Sequence, residues 1–149
     1  RQGDYRDMAY LYPRGRFDLV LANPPYYAVG RGRENALSPL AKARHEITAT
    51  LRQVVAAARY ALRFQGRLAM VHLPERFDEI SVALYETGMA IKRARLVEPR
   101  RGKPPCLLLV EAMAGGAPGA IRWLPTLTIY DAAGDYTSET LAIYGGTVG

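Results

Sequence analysis

Apolar residues along the chain switch between two spacings. Phe17-Asp18-Leu19-Val20-Leu21-Ala22 is a short, mostly apolar run, and it predicts a strand buried on both faces of a parallel sheet. The run stops at Asn23-Pro24-Pro25-Tyr26-Tyr27, where two prolines forbid both helix and central strand. Residues 28–40, rich in Gly, Arg, Asn, Ser and Pro, predict a loop. From about His45 the spacing becomes helical, with Ile47, Leu51, Val54, Val55, Ala58 and Leu62 on one face and Gly66 as the stop. Residues 67–73 predict a second buried strand. Pro74 then opens a second helix, with Phe77, Ile80 and Leu84 inward and Gly88 ending it. Residues 89–97 and 106–113 read as strands on either side of Pro104-Pro105, and residues 121–130 as a last extended segment. The tail is polar and ends in glycines.

Strand, helix, strand, helix and then two strands across a proline turn is the order of an α/β sheet with an antiparallel edge strand. Only about half of a doubly wound sheet is present, and two helices cannot cover both faces of it. The chain's 149 residues, 49% hydrophobic, suit one domain with a real core. They exclude collagen-like repeats, a disulfide scaffold and wholesale disorder. No apolar run is long enough to cross a bilayer, so no membrane partner is expected. A single cysteine, Cys106, predicts a reducing compartment, which points to the cytoplasm. The net charge of +6 leans towards a polyanionic partner.

Asn23-Pro24-Pro25-Tyr26 carries the chemistry. Four specified residues meet by chance in a chain this long about one time in a thousand. The motif also sits at a strand's carboxyl end, where α/β sheets hold ligands. An exocyclic amine on adenine is a poor nucleophile, because its lone pair is delocalised into the ring. An Asn side-chain carbonyl and a backbone carbonyl of the Pro-Pro turn can each accept one N–H. The nitrogen then becomes more tetrahedral and its lone pair is aimed at an electrophilic methyl. Proline fixes the turn, and Tyr26 offers a flat face for an extruded base.

This arrangement resembles motif IV of the amino-methyltransferases that use S-adenosylmethionine. Within them, the chain resembles the tRNA adenine-N6 methyltransferase family that modifies an anticodon-loop adenine of valine tRNA. The likeness runs through FDLVLANPPYY, ARHE at 43–46, GRLAMVHLPER at 66–76 and PTLTIYDAAGDYTSE at 125–139, and so covers most of the chain. NPPY also occurs in DNA adenine methyltransferases and in glutamine methyltransferases acting on release factors; the downstream segments favour the tRNA type. The resemblance implies a Rossmann-like class I sheet, S-adenosylmethionine as cofactor, tRNA as partner, and Asn23, Pro24, Pro25 and Tyr26 as the catalytic set. It also implies donor contacts from Asn23 and from Asp4, since Gly3-Asp4-Tyr5 resembles the end of the third strand, while the residues alone allow Asp4 as a solvated terminal residue.

The family's glycine-rich donor loop has no counterpart here. Gly30-Arg31-Gly32 follows the motif, and nothing follows the glycines of 145–149 to build a helix that would receive the donor. With Arg1 in first place and no methionine, residues 1–149 are expected to be the carboxyl-terminal part of a larger methyltransferase domain, lacking the cofactor-loop half and inert alone. An exposed sheet edge would then invite a homodimer.

Other signals are weaker. His45-Glu46 begins an HExxH pattern, but the completing position is Ala49, so no metal is expected. The resemblance sets His45 beside the substrate, while the residues alone allow a helix-start role. His72 reads as a packed residue, Cys106 as a small hydrophobe on an apolar strand, and Ser38 and Ser81 have no base to activate them. Lys92, Arg93, Arg95, Arg100, Arg101 and Lys103 crowd six cations into twelve residues against only Glu98. Arg31, Arg33, Lys42 and Arg44 make a second basic region just after Asn23-Pro24-Pro25-Tyr26. Each region is either a solvated face or a grip on phosphates, with Tyr27, Arg31, Arg33, Arg44, His45, Arg100, Arg101 and Lys103 on the substrate side. Two alternatives remain: a protein glutamine methyltransferase, and a non-catalytic RNA-binding fragment.

Overall fold

The computed structural model describes residues 3–26 and 39–145. A helical turn at Tyr5–Asp7 and a short helix α1 (Met8–Leu11) precede strand β1 (Phe17–Ala22). Helix α2 (Pro39–Ala61) runs directly into β2 (Leu62–His72), and a turn at Pro74–Arg76 continues as α3 (Phe77–Glu86). Strands β3 (Met89–Arg100) and β4 (Leu107–Ala114) form a hairpin. The short strands β5 (Arg122–Trp123) and β6 (Leu127–Tyr130) and helix α4 (Ser138–Ile143) follow.

The strands make one mixed sheet in the order β1-β2-β4-β3, with β5 and β6 both pairing with β3. β1 and β2 are parallel, as their crossover through α2 requires. The antiparallel member is β4, which lies inside the described sheet, between β2 and β3. A hairpin after a parallel pair inserts its second strand next to β2 and leaves its first strand outside. β6 runs parallel to β3, with Tyr130 opposite Arg100. The carboxyl ends of β1, β2, β3 and β6 therefore share one edge of the sheet: Ala22 lies opposite Met70, and His72 opposite Leu108.

Helices α2 and α3 cover one face. Leu51, Val55 and Ala58 of α2 and Ile80, Ala83 and Leu84 of α3 pack on Leu68, Met70, Leu108, Val110 and Ala112 of the sheet. Each fully buried Leu or Ile contributes about 1.5–3 kcal/mol of transfer free energy. The opposite face carries Leu19, Leu21 and Leu109, all exposed, with Leu21 at 74%. β1 is thus buried on one face only, contrary to its expected burial on both, because both described long helices pack on the same side.

Several elements differ from the pattern. α2 starts at Pro39 rather than near His45, since proline suits the first turn of a helix. It ends at Ala61, and Gly66 lies inside β2, not at a helix stop. A Cβ on Gly66 would come within 3.0 Å of the Arg63 carbonyl and 3.1 Å of the Phe17 carbonyl, so this glycine permits the close approach of β1 and β2. The register shifts at the same place, and Gln65 adopts a φ of 62°. The polar tail holds α4, whose N-cap Thr137 accepts from the Thr140 N–H. Gly88, with a φ of 73°, does end α3.

Candidate active site

β1 delivers Asn23 to the carboxyl edge of the sheet, and Pro24 and Pro25 turn the chain away from it. Pro24 is buried, whereas Asn23 and Pro25 are exposed. The Tyr26 hydroxyl donates to Oδ1 of Asn23. Burial pushes the Tyr26 phenol up from its ordinary value, so the hydroxyl keeps its proton. Its ring stands edge-on to His72, with centroids 5.3 Å apart and planes at 64°.

His72 closes β2 and is fully buried. Its Nδ1 accepts from the Leu73 N–H at 2.8 Å, which assigns the ring proton to Nε2. That Nε2 has no partner among the described residues. Burial, followed by the nearby Arg76 charge, holds the imidazole below its ordinary pKa, so it is neutral. Arg76 is itself buried; it pairs with Glu79 and donates to Thr48 Oγ1 at 2.9 Å, while Thr48 donates to Glu79 at 2.8 Å. This polar cluster ties α2 to α3 directly after the β2 end that carries His72. The sequence reading missed it. The only signal was a charged pair, Arg76 and Glu79, one helical turn apart beside apolar positions.

Asn23 Oδ1 has two lone pairs, of which the Tyr26 hydroxyl takes one. The other, together with the carbonyl of Pro24, can accept the two hydrogens of an amine or amide nitrogen. Asn23 also lines the rim of a cleft of about 580 Å³ on the open sheet face, whose walls include Leu21, Ala69, Val71 and Leu109.

The curated proteins that this chain matches include the following two. A tRNA1(Val) (adenine(37)-N6)-methyltransferase of Porphyromonas gingivalis is 32% identical over 127 residues, 83% of this chain and 48% of that protein. A protein of the same name from Tolumonas auensis is 33% identical over 94 residues, 63% of this chain and 39% of that protein. Over the part it spans, the chain is similar to these methyltransferases. It covers about half the length of the Porphyromonas relative. No protein-family model matches the chain. Among solved structures, a predicted O-methyltransferase from Agrobacterium tumefaciens superposes with a TM-score of 0.66 at 20% identity, covering 98% of this chain and 59% of that one. A Thermus thermophilus protein classed as a DNA modification methylase, complexed with S-adenosyl-L-methionine, gives a TM-score of 0.61 at 16% identity over 77% of this chain and 54% of that one. At these identities the structures show the fold alone, a mixed α/β sheet shared with part of each of these proteins.

Of the site residues expected from the sequence, Asn23, Pro24, Pro25 and Tyr26 stand together as one turn. Asp4 is engaged locally: its carboxylate accepts from the Arg6 N–H at 2.9 Å and pairs with the Arg6 guanidinium, which pulls its pKa down to about 2. Tyr27, Arg31, Arg33 and Ser38 lie outside the described residues, as do the side chains of Arg44 and His45, whose backbone belongs to α2. Arg100, Arg101 and Lys103 sit at the β3–β4 turn, on the same sheet edge as Asn23. Cys106 is exposed just before β4 rather than on the apolar strand, since the strand begins at Leu107. The Ser81 hydroxyl donates to the Phe77 carbonyl of its own helix. Among the described residues no group of three His, Cys, Asp or Glu side chains is placed to hold a metal, and no helix is long and apolar enough to cross a membrane.

Proposed function

We propose that the protein containing this chain transfers a methyl group from S-adenosylmethionine to the N6 amine of an adenine in tRNA. The observation that carries this reading is the Asn23 carboxamide at the carboxyl end of β1, held by Tyr26 beside a Pro-Pro turn. The names of the two curated relatives support the substrate class.

In this reading Oδ1 of Asn23 and the carbonyl of Pro24 accept the two amine hydrogens, and Pro25 keeps the turn rigid. Tyr26 stacks on the flipped base, with its ring backed by His72. S-adenosylmethionine, when bound, supplies an electrophilic methyl on a sulfonium. Positioning the lone pair does the protein's share of the work, and the surplus proton of the methylated amine is released to water. The exposed Asn23 at the cleft rim suits the methyl end of that donor. Asp4 is an anion that suits a donor hydroxyl or amine, provided Arg6 yields it.

A tRNA substrate implies the cytoplasm and a basic surface, with Arg31, Arg33, Arg44 and His45 contributing beside Tyr27. β1 is outermost in the described sheet, and with Leu19 and Leu21 exposed beside it, a homodimer through this edge is part of the reading. Light scattering on the 149-residue chain tests the dimer, which a clean monomer would refute. The reaction is tested with the whole protein and a methyl-labelled donor. Label is expected in N6-methyladenosine of tRNA, and label in protein glutamine instead would overturn the reading.

A further inference from the structure

The six-cation run divides in two. Lys92 donates to the Ala117 carbonyl at 2.6 Å, Arg93 pairs with Glu111, and Arg95 pairs with Glu139 at 2.6 Å and donates to the Pro125 carbonyl. These three are occupied inside the fold. Arg100, Arg101 and Lys103, at the β3–β4 turn, are exposed, and none forms an ion pair with a described carboxylate. Carboxylates also lie nearby, and Asp131 lines the same cleft. Asp131 Oδ1 accepts from the N–H groups of Ala133, Gly134 and Asp135 at 2.9–3.0 Å. Glu98 accepts from Gly102 and Thr128. Asp135 is exposed in the same turn, and because the donors to Glu98 and Asp131 are uncharged, all three carboxylates subtract from the positive field.

Beside these cations stands a ladder of tyrosines. Tyr136 stacks on Tyr130 with centroids 5.2 Å apart and planes at 13°, and Tyr144 lies against Tyr136 at 5.6 Å. All three are exposed, Tyr144 at 72%. Tyr130 and the three cations line a common cleft of about 450 Å³. An acidic peptide would use the cations and leave the rings idle. A single-stranded nucleic acid uses both, with phosphates on the cations and bases on the rings.

We propose that Arg100, Arg101, Lys103 and the Tyr130-Tyr136-Tyr144 ladder form a second RNA contact, a platform for unpaired nucleotides flanking the target base. This deepens the reading of the Asn23 turn as acting on RNA and rests on it. The platform lies four strand spacings from β1 along the same edge, about 19 Å. At ~3.4 Å per stacked nucleotide that is about six nucleotides, so one strand can occupy both places.

The test is equilibrium binding by the whole protein of a fluorescently labelled single-stranded RNA of about a dozen nucleotides, without methyl transfer. Joint replacement of Arg100, Arg101 and Lys103 by Ala is expected to weaken binding at least about tenfold. It should also flatten the log affinity versus log salt slope by about 2, at ~0.7 per phosphate contact. Tyr136→Ala is expected to weaken binding about tenfold and Tyr136→Phe to restore it, since stacking needs the ring and not the hydroxyl. The losses should shrink with an RNA of about four nucleotides, too short to span both places. Wild-type affinity and slope in all variants, or equal losses on both RNAs, would overturn the platform. A protein that methylates no RNA yet shows these losses would sink the proposed reaction and leave the platform standing.

Discussion

The Tyr26 hydroxyl donates to the side-chain carbonyl of Asn23, three residues back along the chain. That bond spans the Pro-Pro turn and fixes the carboxamide with its oxygen towards the ring. In the proposed reaction Tyr26 therefore has two separable roles, a flat face for a base and a hydroxyl that orients Asn23. Tyr26→Phe keeps the face and loses the orienting bond, at a net value of about 1 kcal/mol. Its kcat/KM on tRNA is expected to fall less than about tenfold. Tyr26→Ala loses both and should fall at least a hundredfold, about 2.7 kcal/mol or more. Equal losses in the two variants would show that the ring face contributes nothing.

His72 makes stability depend on pH. Its folded pKa lies below the ordinary 6.5, chiefly through burial. As the pH falls below about 6.5, the unfolded chain takes up a proton that the buried imidazole refuses, so stability drops towards the folded pKa and is level above 6.5. The chain has only two histidines, so few groups titrate in that window. Between about pH 7 and about pH 5.5, the melting temperature of the wild type should fall more steeply than that of His72→Leu, which also removes the unpartnered Nε2. Parallel curves would contradict this.

Gly66 is a steric requirement of the β1–β2 pair. An alanine methyl would meet two backbone carbonyls, which cannot rotate away as a side chain does. Gly66→Ala is expected to cost about 1–3 kcal/mol, read as a lower urea midpoint at unchanged slope. An unchanged midpoint would show that the strands part without cost.

The same glycine marks where the sequence stops being legible. Phe17–Ala22 can be read to the residue because Asn23-Pro24-Pro25 punctuates it, and α3 because Pro74 and Gly88 bracket it. Nothing punctuates the junction of Ala61 and Leu62, and apolar residues on both sides suit helix and strand alike. The Asn23 turn is legible as a motif because its residues are neighbours in the chain. The tyrosine ladder is not. Positions 130, 136 and 144 share no period, and only the Tyr130–Tyr136 bridge and the fold of α4 bring them together. Within the basic run, the split between paired and unpaired cations depends on Glu111 and Glu139, carboxylates that only the folded sheet brings near.

The central claim, that Asn23 holds the amine that is methylated, is tested most directly by single-turnover methyl transfer to tRNA with the whole protein and its Asn23→Ala variant. The variant removes one acceptor aimed at the reacting nitrogen and leaves the Pro24 carbonyl in place. Turnover is expected to fall about 10²–10³-fold, far more than donor binding falls. An Asn23→Ala protein that formed N6-methyladenosine at near wild-type rate would contradict the account.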